Sequence, residues 1–168
     1  IDEAEVRTLA VINEKNPELT ENQRKEIAQK ISIAALKYAD LSNDRIKDYV
    51  FDWDRMLALD GNTAPYLQNA YVRILSIFRK GNIDRTKLGN SPLRIEAVAE
   101  KVLALKLFQY ASAVEAVTER LEPHRLCTFL YELASCFHSF YEACPILKDD
   151  IEEEVRNSRL ALCDLTAR

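Results

Sequence analysis

Apolar residues recur at three- and four-residue steps along most of the chain, and the breaks between these runs are short. "IDEAEVRTLAVINEKNP" reads as a helix that ends near Asn16, because the residue before Pro17 is pushed out of the α region. A strong start signal follows in "TENQRKEIAQKISIAALKYADL". Thr20 and Gln23 have capping-box spacing, each able to satisfy an orphan backbone amide of the other. Behind them Ile27, Ile31, Ala34 and Tyr38 share one predicted face.

The period changes in "DYVFDWDRMLALDGN". Tyr49, Phe51 and Trp53 alternate with Val50, Asp52 and Asp54, which predicts a short extended segment with one apolar face, then a brief helix before Gly61. Asp60-Gly61-Asn62 is a turn cluster and the organisational boundary of the chain. In "NTAPYLQNAYVRILSIFRK" Thr63 is a cap and Pro65 sits in the first helical turn, where its missing N–H costs nothing. Leu67, Ala70, Tyr71, Ile74 and Phe78 form the predicted core face, and Tyr66, Asn69, Arg73, Ser76 and Lys80 line up along another.

Everything beyond is also helical in pattern. "SPLRIEAVAEKVLALKLFQYASAVEAVTERL" opens on Ser91 and Pro92 and carries Ile95, Val98, Val102, Leu105, Val114, Val117 and Leu121. "EPHRLCTFLYELASCFHSFYEACPIL" runs from Pro123 to before Pro145. Its stripe is Leu126, Leu130, Leu133, Phe137 and Phe140, with Phe129 and Cys136 off the stripe, so this helix is apolar almost all round and belongs at the centre of a bundle. A last helix begins near Asp149, Asp150 and Glu152, acids that suit a helix N-terminus. The expected fold is mainly α, a helical bundle.

Composition agrees. Three glycines among 168 residues, with 48% hydrophobic and 30% charged residues, favour long helices and disfavour an all-β architecture. A net charge of -4 excludes a global field that gathers nucleic acid indiscriminately, so any RNA contact needs a local basic patch. No run of 18 apolar residues predicts a membrane span, and no leader pattern opens the chain. The chain begins on Ile1 and stops on "DLTAR" in mid-pattern, the look of an excised fragment. Cys127, Cys136, Cys144 and Cys163 lack metal-ligand spacing and read as reduced, mostly buried apolar residues.

Candidate chemistry is sparse. Asp52 and Asp54 lack a partner nucleophile or histidine and read as surface carboxylates. His138 reads as a satisfied, partly buried histidine for want of a second ligand three or four residues away, and His124, following Pro123 at a helix start, reads as structural. Arg125 reads first as an ion-pair partner. Arg79 and Lys80 suit a helix C-terminus whether or not they bind anything. The row of Tyr66, Asn69, Arg73 and Lys80 has two readings: a solvated helix back, or a surface that stacks on an unpaired base and neutralises a phosphate. Phe140 and Tyr141, where Pro145 ends the buried helix, are core rings or rings offered to a base. Asn157 and Arg159 are weaker candidates on the last helix.

The wording of several stretches decides between these readings. "GNTAPYLQNAYVRILSIFRK", "EKNPELT", "KYADLSNDRIKDYVFDWDRML", "LEPHRLCTFLYELASCFHSFYEACPIL" and "EVRNSRLALCDLTAR" closely resemble, in the same order, the arginyl-tRNA synthetase family of bacterial type. The resemblance spans essentially the whole chain. It implies that residues 1–60 are the end of the catalytic portion and a stem-contact region. Residues 61–168 would be the DALR-type anticodon-binding helical bundle, truncated before its last helix. It implies a tRNA(Arg) partner, with an anticodon surface on Tyr66, Asn69, Arg73, Lys80, Phe140, Tyr141 and Asn157. Many relatives carry a second tyrosine where this chain has Asn69. The parent would be a monomeric cytoplasmic ligase using arginine and ATP with magnesium, binding neither membrane nor DNA. The HIGH and KMSKS signatures of class I adenylate chemistry are missing here, so this chain holds no cofactor and is expected to be inactive alone. From the residues alone, the rival is a non-catalytic helical module that docks a partner helix in an apolar groove.

Overall fold

A computed structural model describes residues 1–88 and 93–168. The start signal at Ser91 and Pro92 lies outside the described residues. Helices α1 (Asp2–Lys15) and α2 (Glu21–Ser42) form an antiparallel pair whose seam is built from small side chains. Ala4, Ala28 and Ala35 are buried there, and the Ser32 hydroxyl donates to Ala28 O at 2.7 Å while its oxygen lies 3.0 Å from Thr8 Oγ1. The Thr20–Gln23 capping box is present in full. The buried face of α2 is Ala28, Ser32, Ala35 and Tyr38, one position round from the predicted Ile27, Ile31 and Ala34, because α1 packs on the small residues and leaves the two isoleucines half-exposed.

No strand forms among the described residues. The alternating stretch at 49–53 has no pairing partner. Phe51 and Trp53 do share a side, with ring centroids 4.7 Å apart, but Asp52 caps the one-turn helix α3 (Trp53–Met56) by accepting from Arg55 N at 3.0 Å. Asp54 is solvated, with Arg7 Nη1 3.9 Å from its carboxylate.

Helix α4 (Ala64–Lys80) starts as expected: Thr63 Oγ1 accepts from Tyr66 N, and Pro65 lies in the first turn. A 3-10 turn (Arg85–Lys87) follows. The single long helix predicted next is two helices, α5 (Val98–Phe108) and α6 (Tyr110–Arg120), joined at Gln109, whose N–H bonds three residues back to Lys106 O. That joint breaks the period. Val98, Val102, Leu105 and Leu121 of that apolar run are exposed, and Leu103 and Glu100 are the buried pair of α5.

Helix α7 (Pro123–Ala143) is the central element, packed by α2, α4, α5, α6 and α8 (Glu153–Ala167). Its all-round apolar character is explained by this company. Ile74, Ile77 and Phe78 of α4, Leu103, Phe129, Leu133, Phe137 and Phe140, and Leu160, Leu162 and Cys163 of α8 make one core. Each large side chain buried there contributes about 1.5–3 kcal/mol. A smaller cluster of Tyr38, Ala64 and Cys127 fixes α2 against α4 and α7, with the Tyr38 hydroxyl 2.8 Å from Cys127 O and 2.6 Å from Asn62 Oδ1. Cys127, Cys144 and Cys163 are buried as read from the sequence, and burial pushes the Cys163 thiol up to about 12.

Candidate nucleic-acid interface

The outward side of α4 floors a groove of about 1360 Å³. Ile27, Lys30 and Ile31 of α2 stand on one side of it, and Tyr141 to Lys148, the end of α7 and the loop after it, stand on the other. The loop is held close by packing. A Cβ on Gly81, at the end of α4, would lie 2.9 Å from Leu147 Cδ2 and 2.6 Å from Ile83 Cδ1, so any larger residue there would push the ends of both side chains aside. Deeper in, the buried Glu100 accepts from Glu96 N and Ala97 N, and from Arg159 Nε at 2.6 Å. Arg159 Nη1 in turn donates to Pro145 O at 2.6 Å. One carboxylate thereby ties the start of α5 to α8 and to the groove's wall.

The groove is locally basic although the chain is acidic. Lys30, Arg73, Arg79, Lys80 and Lys148 line it, with Glu142 the one carboxylate among its described lining residues, while Lys30 also pairs with Glu26 at 2.6 Å outside the lining. Two tyrosine rings are accessible in it, Tyr71 at 47% exposure and Tyr141 at 39%. Cations at this density, beside exposed rings, neutralise backbone phosphates and stack on unpaired bases.

The predicted site residues fall into three groups. Asn69, Arg73, Lys80 and Tyr141 come together in the groove. Phe140 does not: it is fully buried in the core and has no face to offer a base. Tyr66 is also corrected, because its ring turns toward α7, half-buried between Tyr131 at 5.5 Å and His138 at 4.9 Å, and it is not among the groove's lining residues. Asn157, part-buried on α8, lies off the groove as well. Tyr71, expected in the core, lies instead at the edge of the buried arc and is exposed in the groove. The signal was in the helix angle: Ala70, Ile74, Ile77 and Phe78 define a narrow arc with Tyr71 on its flank. Lys30 and Lys148 had no sequence signal, as they reach the groove from separate elements.

Arg73 sits between the two regions. Its Nη1 lies 3.2 Å from His138 Nδ1 and its Cζ is 4.9 Å from the centre of the Tyr141 ring. Burial first, then the Arg73 charge, depress the imidazole's pKa below its ordinary 6.5, with Glu142 opposing. His138 is thus the satisfied, partly buried histidine expected. His124, in the first turn of α7, has a buried Nδ1 with no partner among the described residues. Arg125 pairs with Glu122, and Arg159 is an ion-pair partner of Glu100.

Comparison with known proteins places this geometry. Residues 67–168 match the DALR anticodon binding domain, and residues 1–53 match the catalytic domain of class I tRNA synthetases (R). The chain belongs to the DALR anticodon-binding domain family. Arginine–tRNA ligase of Pseudoalteromonas atlantica is 52% identical over 168 residues, all of this chain and 29% of that protein. The Thermobifida fusca ligase is 54% identical over 166 residues, 99% of this chain and 28% of its own length. Among solved structures, arginyl-tRNA synthetase of Plasmodium falciparum superposes with a TM-score of 0.87 at 29% identity, and that of Thermus thermophilus with 0.86 at 29% identity. Each covers 99% of this chain, which spans 29% and 28% of theirs. The chain therefore spans under a third of the length of these relatives. The DALR fold is the helical bundle described above, and its groove on α4 lies within the matched residues from Leu67 onward, apart from the contributions of Asn16, α2, Leu59 and Pro65.

Proposed function

We propose that this chain is the part of an arginine–tRNA ligase that grips the anticodon arm of tRNA(Arg), so that the acceptor end meets a distant active site where ATP-dependent arginylation takes place. The observation that carries this reading is the groove itself, five cations and two accessible tyrosines on the surface of a chain whose net charge is -4. Its contribution is positioning. Phosphate contacts from Lys30, Arg79, Lys80 and Lys148 set register, while Tyr71, Tyr141, Arg73 and Asn69 meet unstacked bases.

Arginine, ATP and magnesium belong to the parent enzyme, which this reading takes as a cytoplasmic monomer. Among the described residues no three His, Cys, Asp or Glu side chains converge to hold a metal ion. No described helix is long and apolar enough to cross a membrane.

The test is the salt dependence of binding to an RNA hairpin that carries the tRNA(Arg) anticodon loop. Neutralising about four phosphates gives a logarithmic slope of affinity on salt of roughly -3, on the single-strand coefficient. A slope near zero would instead favour an apolar docking module.

A further inference from the structure

We propose that His138, in its neutral form, is the positioning residue for the Arg73 guanidinium, so that the groove's hold on RNA is coupled to the protonation of one imidazole. The inference rests on the RNA-binding reading above and names a control built into the same site.

A guanidinium has N–H donors and no acceptor, and it keeps its proton at every accessible pH. The 3.2 Å contact between Arg73 Nη1 and His138 Nδ1 therefore requires an unprotonated Nδ1, with the ring proton on Nε2. The other group holding Arg73 is the π face of Tyr141. Among the described residues no carboxylate forms an ion pair with Arg73. That sets it apart from Arg85, Arg94, Arg125 and Arg159, each paired with Asp or Glu. A neutral acceptor and a ring fix the direction of this cation without cancelling its charge. A side chain meant to meet a phosphate or a base edge needs that combination, whereas one that only ties two helices together is served better by a carboxylate.

The imidazole is itself fixed. Tyr66 of α4 packs on it at 4.9 Å between ring centres, with Tyr131 behind Tyr66, and Phe137 of α7 lies 5.8 Å away. The charged and titratable groups that face it are Arg73 and Tyr66 from α4 and Glu142 from its own helix. Protonation would set an N–H on Nδ1 against the N–H of Arg73 and two positive charges at hydrogen-bond distance. Arg73 would then lose its acceptor and swing from the Tyr141 ring. Tyr66 thereby acquires a role in binding without touching RNA, since it packs the histidine that aims the arginine.

The experiment measures affinity for the anticodon-loop hairpin between pH 8 and pH 5 at constant ionic strength, for the wild type, His138→Asn and His138→Phe. The Asn Oδ1 stands where Nδ1 stood and cannot be protonated, and Phe fills the space with no acceptor. The wild type is expected to lose about tenfold in affinity on acidification, the scale of one charge-assisted hydrogen bond. His138→Asn should match the wild type at pH 8 and stay flat, and His138→Phe should bind about tenfold more weakly throughout. Identical pH profiles for the wild type and His138→Asn, or full affinity in a folded His138→Phe, would overturn the proposal. If no variant binds the hairpin at all, the anticodon-arm reading fails, and the imidazole is still decided by nitrogen NMR of the free protein. The expected result there is the Nε2–H tautomer, titrating below 6.5 and moving upward in Arg73→Ala. A His138 indifferent to Arg73→Ala would refute the coupling.

Discussion

Glu100→Ala is expected to cost about 3–5 kcal/mol of folding stability, the scale seen when one member of a buried ion pair is removed. Glu100 is fully buried. Its loss leaves Arg159 without its carboxylate and the Glu96 and Ala97 N–H groups without an acceptor. Urea or thermal unfolding at neutral pH checks the value, and Glu100→Gln, which keeps the acceptor oxygen, should lose less. The same carboxyl predicts an acid limb. Burial alone would raise its pKa, yet the two amides and Arg159 hold it below the ordinary 4.5. Asp164 is held below 3.8 against burial by Arg85 and Arg168. Both are depressed in the folded state, so their stabilisation is complete above the unfolded values and is lost as pH falls through the lower folded ones. Stability should therefore fall below about pH 4.5, less steeply in Glu100→Ala. Because Arg159 also holds Pro145 O, this variant should weaken RNA binding too, through the groove's wall.

Arg73→Glu is expected to weaken binding of the anticodon-loop hairpin by about 2–4 kcal/mol, roughly 30- to 1000-fold. It places a carboxylate among Lys30, Arg79, Lys80 and Lys148 and removes the guanidinium from the Tyr141 face. The fold should survive, since Arg73 is part-exposed and pairs with no carboxylate among the described residues. Equilibrium binding beside a far-ultraviolet spectrum of the variant reads both. A folded variant with unchanged affinity would remove Arg73 from the site.

What was legible in the sequence was local. The Thr20–Gln23 box, the Thr63 cap with Pro65 behind it, and the end of α7 before Pro145 are all written within a few residues, because caps and proline act through neighbouring backbone. The all-round apolar α7 was legible as central for the same kind of reason: no one-sided stripe existed to place it at the surface. Which face of a helix is covered depends on distant partners. α1 covers Ala28 and Ala35 instead of Ile27 and Ile31, and on α5 Leu103 goes into the core while Val98, Val102 and Leu105 stay outside. Tyr49, Phe51 and Trp53 alternate as a strand does, yet a strand also needs a neighbour, and none is present among the described residues.

The site divides along the same line. Arg73, Lys80 and Asn69 were legible as one side of one helix, and Tyr141 through family resemblance. Phe140, one residue earlier, is buried, because at 100° per residue adjacent positions on α7 point to different surroundings. Tyr66 and Arg73, set on the same side by spacing, both reach α7. The longer, charged Arg73 lines the groove while the Tyr66 ring stays between Tyr131 and His138. The part of the groove's basic character that comes from Lys30 and Lys148 was not legible, since these reach it from α2 and the loop after α7.

The central claim is that RNA lies across the outer side of α4, between α2 and the loop that follows α7. Titrating labelled protein with the anticodon-loop hairpin, and following side-chain NMR signals, tests it most directly. Tyr71, Arg73, Tyr141 and Lys148 should shift in a saturable way while Val98, Leu105 and Phe108 on the exposed face of α5 stay still. Shifts confined to α5, with the two tyrosines unmoved, would contradict it.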